Sequence, residues 1–499
     1  MKAYLMYEND DIALQENYVK CSPSIMQDLE IETLCKAMAR GDDFIYKITT
    51  NALISGLNNN IDTILYRQEV LRDCLNNQFI VRKIYEITVE AIETKNKHFW
   101  ISSNKFPTSI LFNSVSTLKD LIIYLKQLKN IAEEYSGKFK SKGFVRFFDV
   151  LKKELDDKYF DTVQNHLQEL EFEDGILFSA TLGSGNKGTN YIIRKPLNKK
   201  NWLQRLFEKK QPVFSFRIND RDISGAKALG DLKDEAINTI ANTVAQASDH
   251  IINFFTKLKE ELAFYIGCLN LHDQLLNINE PVTFPIPVEQ NQRIHSFQGL
   301  YDVCLALILN KKVVGNDAII KNKNLVIITG ANKGGKSTFL RSIGLSQLMM
   351  QCGMFVPAES YTANICNSLF THFRKEEDKT MESGKLDEEL KRFNNMVDNI
   401  NSNSLLLFDE SFAATNDREG SEIACQIVRA LFEKGIKIFF VTHLFEFANN
   451  FYNKSEDIFF LRAERHPDGT RSYKLIEGLP LQTSFGKDLY HRIFEEQNL

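Results

Sequence analysis

The chain lacks the usual marks of a special environment. Its eight cysteines, Cys21, Cys35, Cys74, Cys268, Cys304, Cys352, Cys366 and Cys425, include no Cys-x-x-Cys pair and no spacing of a zinc or disulfide framework. Reduced, mostly buried thiols in a reducing compartment are the expectation. Excess charge of one sign is also missing: 61 Lys and Arg against 65 Asp and Glu give a net charge of -4. Any nucleic-acid surface must therefore be a local patch. No apolar stretch reaches the roughly 18 residues that a membrane helix needs. The N-terminus, MKAYLMYENDDIALQ, carries acids where a signal peptide carries a basic region. A cytoplasmic protein with no membrane partner is expected. There is no internal repeat and no low-complexity segment. With 43% apolar and 25% charged residues, wholesale disorder is excluded.

A chain of 499 residues exceeds one ordinary core and calls for two or more domains. The first 135 or so read as mostly helical. Ile61 to Ile87 contains neither Gly nor Pro, and apolar residues recur there at Ile61, Ile64 and Leu65, then Val70, Leu71 and Cys74. Phe144 to Leu170 reads as a further amphipathic helix or pair. The texture then changes to short β-prone runs, Gly175 to Gly183, Thr189 to Arg194 and Val213 to Ile218, with a Gly-rich turn between the first two. A small β insert over about 175–220 is expected. From Asp231 to about Leu276, Ile237, Ile240, Val244, Ala247, Ile251, Phe255, Leu258 and Leu262 follow a coiled-coil-like spacing, which predicts a long stiff helix. Pro281, Pro285 and Pro287 end the helical region.

Beyond about residue 301, apolar runs of buried parallel-strand type alternate with helical stretches. The runs are Leu325–Thr329, Ser404–Phe408 and Ile436–Val441; the helices are Ser337 to Gln351, Leu386 to Ile400 and Glu419 to Lys434. The fold expected is a multidomain α+β chain. A helical core and lever domain occupies 1–300, and a doubly wound P-loop α/β domain occupies 301–499.

That second region carries the chemistry. Gly330, Ala331, Asn332, Lys333, Gly334, Gly335, Lys336, Ser337 and Thr338 follow one predicted strand and open a helix, matching Gly, four residues, then Gly-Lys-Ser/Thr. The glycines let successive N–H groups turn towards phosphate oxygens, and the helix N-terminus adds its positive end. Lys336 would neutralise the β- and γ-phosphates of ATP, and the Ser337 hydroxyl would ligate Mg²⁺. The alternative is a chance Gly-rich turn, and the strand-loop-helix context argues against it. About 70 residues on, the apolar run Leu405 to Phe408 ends in Asp409 and Glu410. Asp409 is the candidate second magnesium ligand, and Glu410 the candidate residue that polarises the attacking water. Alone, such a pair would read as solvated loop acids. His443, closing the run Val441-Thr-His443, is a third catalytic candidate as a sensor of the γ-phosphate. A lone His after a strand is more often a satisfied polar residue.

Taken together, Thr329 to Thr338 resembles the P-loop of the MutS mismatch-repair ATPases. Gln351-Cys-Gly-Met-Phe-Val-Pro-Ala358, Phe408-Asp-Glu-Ser411, Val441-Thr-His443 and Ser484-Phe-Gly486 follow in the family's order, and Tyr66-Arg-Gln-Glu-Val70 is similar to its core segment. The resemblance implies a dimer, homodimeric or heterodimeric, with composite ATP sites and helical levers that embrace double-stranded or branched DNA. Family members that find mismatches carry a Phe-x-Glu wedge. The first hundred residues here hold none, so a MutS-like protein without mismatch recognition is expected. The family's segment that crosses to the partner's nucleotide corresponds to Met381 to Leu390. Ser383 is the candidate, its register open by one residue, and Leu386 replaces the family's Phe. Thr415 and Asn416, in a loop less Gly-rich than the family's, are candidate subunit contacts.

Lys187, Arg194, Lys195, Lys199, Lys200 and Arg205, interleaved with Tyr191 and Trp202, form a locally basic stretch suited to phosphate contact without sequence reading. A solvated charged loop is the plainer alternative. Two other functions compete with a MutS-type DNA clamp. An ATPase of the ABC or chromosome-maintenance type would need a Leu-Ser-Gly-Gly-like signature, of which Glu382 to Leu386 is a faint echo. A nucleotide-gated scaffold with little hydrolysis is opposed by intact Lys336, Asp409 and Glu410.

Overall fold

The computed structural model describes residues 2–9, 24–99, 106–172, 175–194, 214–375, 384–452, 457–466 and 470–480. It is an α+β chain that divides into two compact units. One is drawn from Met1–Ala3, Arg82–Lys138 and Val145–Lys259, the other from Tyr4–Val81, Phe139–Phe144 and Glu260–Leu499.

In the first unit, helix Pro107–Tyr135 begins with a proline, whose fixed φ suits a first helical turn. Its Thr108 N–H donates to Asp234 Oδ1 at 3.0 Å, on the long helix. The stretch 144–170 is a pair, Lys142–Glu154 and Asp157–Glu169; Asp156 caps the second by accepting from Tyr159 N–H. The long helix runs Ile223–Asn277, starts eight residues before the expected Asp231, and passes out of this unit after Lys259. Of its predicted seam, Ile237, Val244, Phe255, Leu258 and Leu262 are buried, whereas Ala247 is exposed. Only two of the three expected insert strands form: β1 (Phe178–Leu182) and β2 (Gly188–Ile193), antiparallel. Phe214 to Ile218 is not a strand. It has no strand partner among the described residues, and Phe214 and Phe216 are exposed. Val213 lies outside the described residues.

In the second unit, the stretch 61–87 that reads as helical holds two helices parted at Asn77, Ile61–Asn76 and Gln78–Phe99, the latter passing out of the unit after Val81. Its strands are β3 (Ile286–Val288), β4 (Ile294–Leu300), β5 (Asn316–Lys321), β6 (Leu325–Thr329), β7 (Ser360–Asn364), β8 (Ser368–Phe373), β9 (Ser404–Asp409), β10 (Lys437–Val441), β11 (Ile458–Arg465) and β12 (Arg471–Glu477). One sheet has the order β12-β11-β6-β10-β9-β8, parallel except for the β12 edge. A second has the order β3-β7-β4-β5. The three strands read from sequence form the middle of the first sheet. They are buried and almost wholly apolar, which is why they were legible as plain runs; β8 is as buried as β9 but carries Thr371 and His372.

Helix Lys336–Gln351 is buried on nearly all sides. At Gly344 a Cβ would meet Leu29 Cδ2 at 2.7 Å and Leu407 Cδ1 at 2.8 Å, so the helix is clasped between β9 and the N-terminal helices. Arg67, fully buried, ties two of the sequence motifs together. Its Nε donates to Met6 O at 2.9 Å and its Nη1 to Cys352 O at 3.2 Å, and its guanidinium lies 4.3 Å from the Tyr7 ring centre. Gly353 has φ +85°, and a Cβ there would lie 2.4 Å from Arg67 Cβ. The seven described cysteines are buried, and no disulfide joins them. No helix among the described residues is long and apolar enough to cross a membrane.

Candidate nucleotide site

The parallel register aligns three strand ends: Ile328 opposite Val441, and Val441 opposite Asp409. The residues that leave β6, β9 and β10 therefore emerge on one edge, where open α/β sheets bind ligands. From β6 the chain enters the loop Gly330–Gly335. Gly330 (φ +116°) and Gly335 (φ +88°) take angles that favour glycine, and Lys333 (φ +58°) is also left-handed. Gly330 and Gly334 have a second reason to lack a side chain. A Cβ would lie 2.8 Å from Ala463 N in the first case and 2.7 Å from Ala463 Cβ in the second, so β11 presses on the loop. Asn332 sits at its turn, and Ser337 and Thr338 open the helix behind Lys336.

Lys336 is buried, and its Nζ donates to Gly330 O and Ala331 O, each at 3.1 Å. Burial pulls its ammonium below the ordinary lysine value, while Glu410 and Asp409 oppose the shift. The Ser337 side chain stands close enough to the Asp409 carboxyl to favour its charged form. Asp409 Oδ1 is buried and makes no hydrogen bond. Desolvation pushes this carboxyl up to about 6, although Ser337 and Lys336 beside it favour its charged form. A buried, unpartnered carboxylate oxygen beside a serine hydroxyl is an oxygen-only donor set, which fits Mg²⁺.

The neighbouring Glu410 is moved the opposite way. Its Oε1 accepts from His443 Nε2 at 2.6 Å, and Arg374 Nη1 stands 3.6 Å from its Oε2. The His443 bond, with Lys336 and Arg374, holds the carboxyl below its ordinary value against burial. Adjacent acids driven apart in this way are suited to different tasks.

Beside the loop lies a cavity of about 510 Å³, lined by Tyr301, Lys333, Gly335, Thr338, Phe339 and Tyr473 among others. It has room for a nucleoside. Tyr473 comes from β12 with φ +60°, and Leu475 N–H donates to Asn316 Oδ1 at 2.7 Å, which ties that strand to β5. Sequence reading missed Tyr473, Arg374 and the wall of this cavity. Only the Tyr473/Leu475 alternation hinted at a strand there, and nothing in the sequence marked Arg374.

His372, at the end of β8, was also missed. It is buried, with Nδ1 2.8 Å from Ser411 Oγ and Nε2 3.2 Å from Glu389 O. Burial, with Arg392 adding to it, lowers its value from 6.5 to about 4. Folded chains thus bind fewer protons than unfolded ones between these values. The contribution of His372 to stability is complete above 6.5 and is lost as pH falls towards 4. That loss should reach roughly 3 kcal/mol. Urea midpoints measured between pH 6.5 and 4 should show a shallower acid slope for His372→Asn. An unaltered slope would contradict a neutral buried imidazole.

Thr415 and Asn416 cap helix Asp417–Glu433. Asn416 Oδ1 accepts from Glu419 N–H at 3.0 Å, and Thr415 Oγ1 donates to Glu419 Oε2 at 2.7 Å. Lys187 and Arg194 are exposed on the β1–β2 hairpin of the other unit, where Arg194 Nε donates to Ser179 Oγ at 2.9 Å. Ser383, Lys195, Lys199, Lys200, Arg205 and Ser484 to Gly486 lie outside the described residues.

Comparison with known proteins adds an independent line. Residues 59–278 match the family model of the MutS2 N-terminal domain, and residues 326–489 that of MutS domain V. MutS protein homolog 4 of Mus musculus is 30% identical over 247 residues, covering 46% of this chain and 26% of that protein. The Endonuclease MutS2 of Lacticaseibacillus paracasei is 29% identical over 291 residues, 53% of this chain and 35% of that protein. The DNA mismatch repair protein MutS of Lactobacillus johnsonii is 31% identical over 231 residues, 43% of this chain and 27% of that protein. The chain thus spans only about a quarter to a third of the length of these relatives.

Proposed function

Since the chain belongs to the MutS family, we propose that it is an ATP-hydrolysing, DNA-binding protein that clamps duplex or branched DNA from a dimer with composite ATP sites. The observation that carries this reading is one cluster. The Ser337 side chain stands beside the Asp409 carboxyl, and the next residue, Glu410, is held 2.6 Å from His443.

In this reading the loop amides and Lys336 bind the triphosphate, and the base enters the 510 Å³ cavity beside Tyr473. Ser337 and Asp409 hold Mg²⁺, which when bound neutralises charge developing on the phosphates. Glu410 orients the attacking water and accepts its proton, with His443 fixing the carboxylate. Arg374 adds positive charge at the same carboxylate. Ser383, Thr415 and Asn416 are the proposed subunit contacts. The first would serve the partner's nucleotide, while the other two cap the start of helix Asp417–Glu433, which would meet the partner. Lys187, Arg194, Lys195, Lys199, Lys200 and Arg205 are the proposed DNA contacts. Residues 59–278 match the MutS2 N-terminal model, and the DNA proposed is branched or distorted duplex in preference to a mismatch. The nuclease activity in the names of the MutS2 relatives is not carried over, since the chain spans 35% of the one from Lacticaseibacillus paracasei.

The test is ATP turnover and DNA affinity on plain, mismatched and branched duplexes, with and without ATP, at stated salt. Branched DNA should raise turnover, and a mismatch should do no more than plain duplex. A preference for the mismatch would overturn the second half of the proposal. Turnover indifferent to every DNA would overturn the first. Lys336→Ala should weaken ATP binding by about a hundredfold or more, read by titration with a fluorescent ATP analogue. Near wild-type affinity would remove Lys336 from the site.

A further inference from the structure

The backbone directly after Asp409 is strained. Glu410 (φ +52°) and Phe412 (φ +63°) both adopt the left-handed conformation, and neither is glycine or asparagine. Bulky residues hold that conformation only where their surroundings impose it.

Here the surroundings do so from several directions. Glu410 N–H donates to Val441 O at 2.9 Å. Phe412 N–H donates to Glu389 Oε1 at 2.7 Å. Ser411, fully buried, donates from Oγ to His372 O at 2.5 Å and lies 2.8 Å from His372 Nδ1. The Phe412 and His372 rings stack, with centroids 5.3 Å apart and planes 20° apart. The main-chain carbonyl of Glu389 reaches His372 Nε2 at 3.2 Å, so the two residues also brace each other. Glu389 comes from helix Lys385–Val397 and His372 from the end of β8. A buried carboxylate is costly, and this one accepts a single main-chain N–H. The product of the arrangement is the direction of one side chain, Glu410, towards His443.

We propose that Glu389 and His372 are positioning residues for Glu410: they lock the Glu410–Phe412 turn in its left-handed form and so fix where the Glu410 carboxylate stands. The inference rests on Glu410 being the residue that orients the attacking water. It adds that the aim of Glu410 is set by two side chains outside the nucleotide loop.

The experiment uses the full chain and three readouts: kcat for ATP, Kd for a fluorescent ATP analogue, and Tm. Glu389→Ala should lower kcat roughly ten- to a hundredfold with Kd within about twofold. Glu389→Gln should recover most of that turnover, because its side-chain oxygen still accepts the Phe412 N–H. Adding Glu389→Ala to Glu410→Gln should lower the residual rate no further. If Glu389→Ala does not fold, Ser411→Ala, which cuts the His372 link alone, should show the same split between kcat and Kd. The inference is overturned if Glu410→Gln is inactive while Glu389→Ala and Ser411→Ala turn over at the wild-type rate. It is overturned too if their Kd and kcat fall together with Tm, or if the double variant is additively worse. A Glu410→Gln protein with full turnover gives a different pattern: it removes Glu410 from its role, and the inference with it.

Discussion

Glu410→Gln should bind ATP normally and hydrolyse it roughly a hundred- to ten-thousandfold more slowly, the range for loss of a positioned general base. The substitution keeps the size of the side chain and a hydrogen-bonding oxygen for His443 at the 2.6 Å contact. It removes the negative charge and the ability to take a proton. Those are the properties the site protects. Glu410 is held below the ordinary carboxylate value by His443, Lys336 and Arg374, so it is ionised at neutral pH despite burial. Asp409, one residue earlier, is pushed up to about 6 by desolvation and lies against Ser337. Glu410 is thus ionised and able to accept a hydrogen bond from the attacking water and orient it, while Asp409 stands where a bound cation would favour its charged form. Single-turnover measurements separate the two parts of the expectation: saturation with ATP at the wild-type concentration, and a slow chemical step. A variant that turns over within a few-fold of wild type would assign the water to another group.

Arg67→Ala should cost roughly 3–5 kcal/mol of stability, the largest effect expected outside the nucleotide site. The substitution empties a fully buried volume and leaves the carbonyls of Met6 and Cys352 without their donor. It also removes the guanidinium from the face of Tyr7. Arg67→Lys should recover little. One ammonium does not reproduce the planar pair of donors, and the Gly353 backbone is packed against the arginine stem. Denaturant unfolding followed through the aromatic signal checks this. A loss below about 1 kcal/mol, the usual scale of one exposed hydrogen bond, would mean that Arg67 fills space without organising its surroundings.

Both residues show what the sequence made visible and what it hid. The P-loop, the Asp409–Glu410 strand end and His443 stand in runs whose periodicity and order reveal them, because buried parallel strands are apolar throughout. Their alignment then follows from the register of β6, β10 and β9. The motif around Arg67 and that around Gly353 were each visible alone. Their contact was not, because it joins residues 285 positions apart through main-chain carbonyls that leave no trace in side-chain pattern. Glu389 and His372 were hidden for a similar reason. A buried His or Glu bonded to backbone looks like any polar residue near a strand or helix end. The expected third insert strand failed the other way: Phe214-Ser-Phe-Arg-Ile218 alternates as a strand should, yet alternation cannot supply a pairing edge.

The central claim is that Ser337 and Asp409 complete a magnesium-dependent triphosphate site on the loop carrying Lys336. The most direct measurement is titration of a fluorescent ATP analogue with and without Mg²⁺, comparing the unaltered protein with Asp409→Asn. Binding to the unaltered protein should tighten sharply when Mg²⁺ is present, and the variant should lose most of that gain while still binding the metal-free nucleotide. Affinity in the unaltered protein that ignores Mg²⁺, or an undiminished gain in Asp409→Asn, would contradict it.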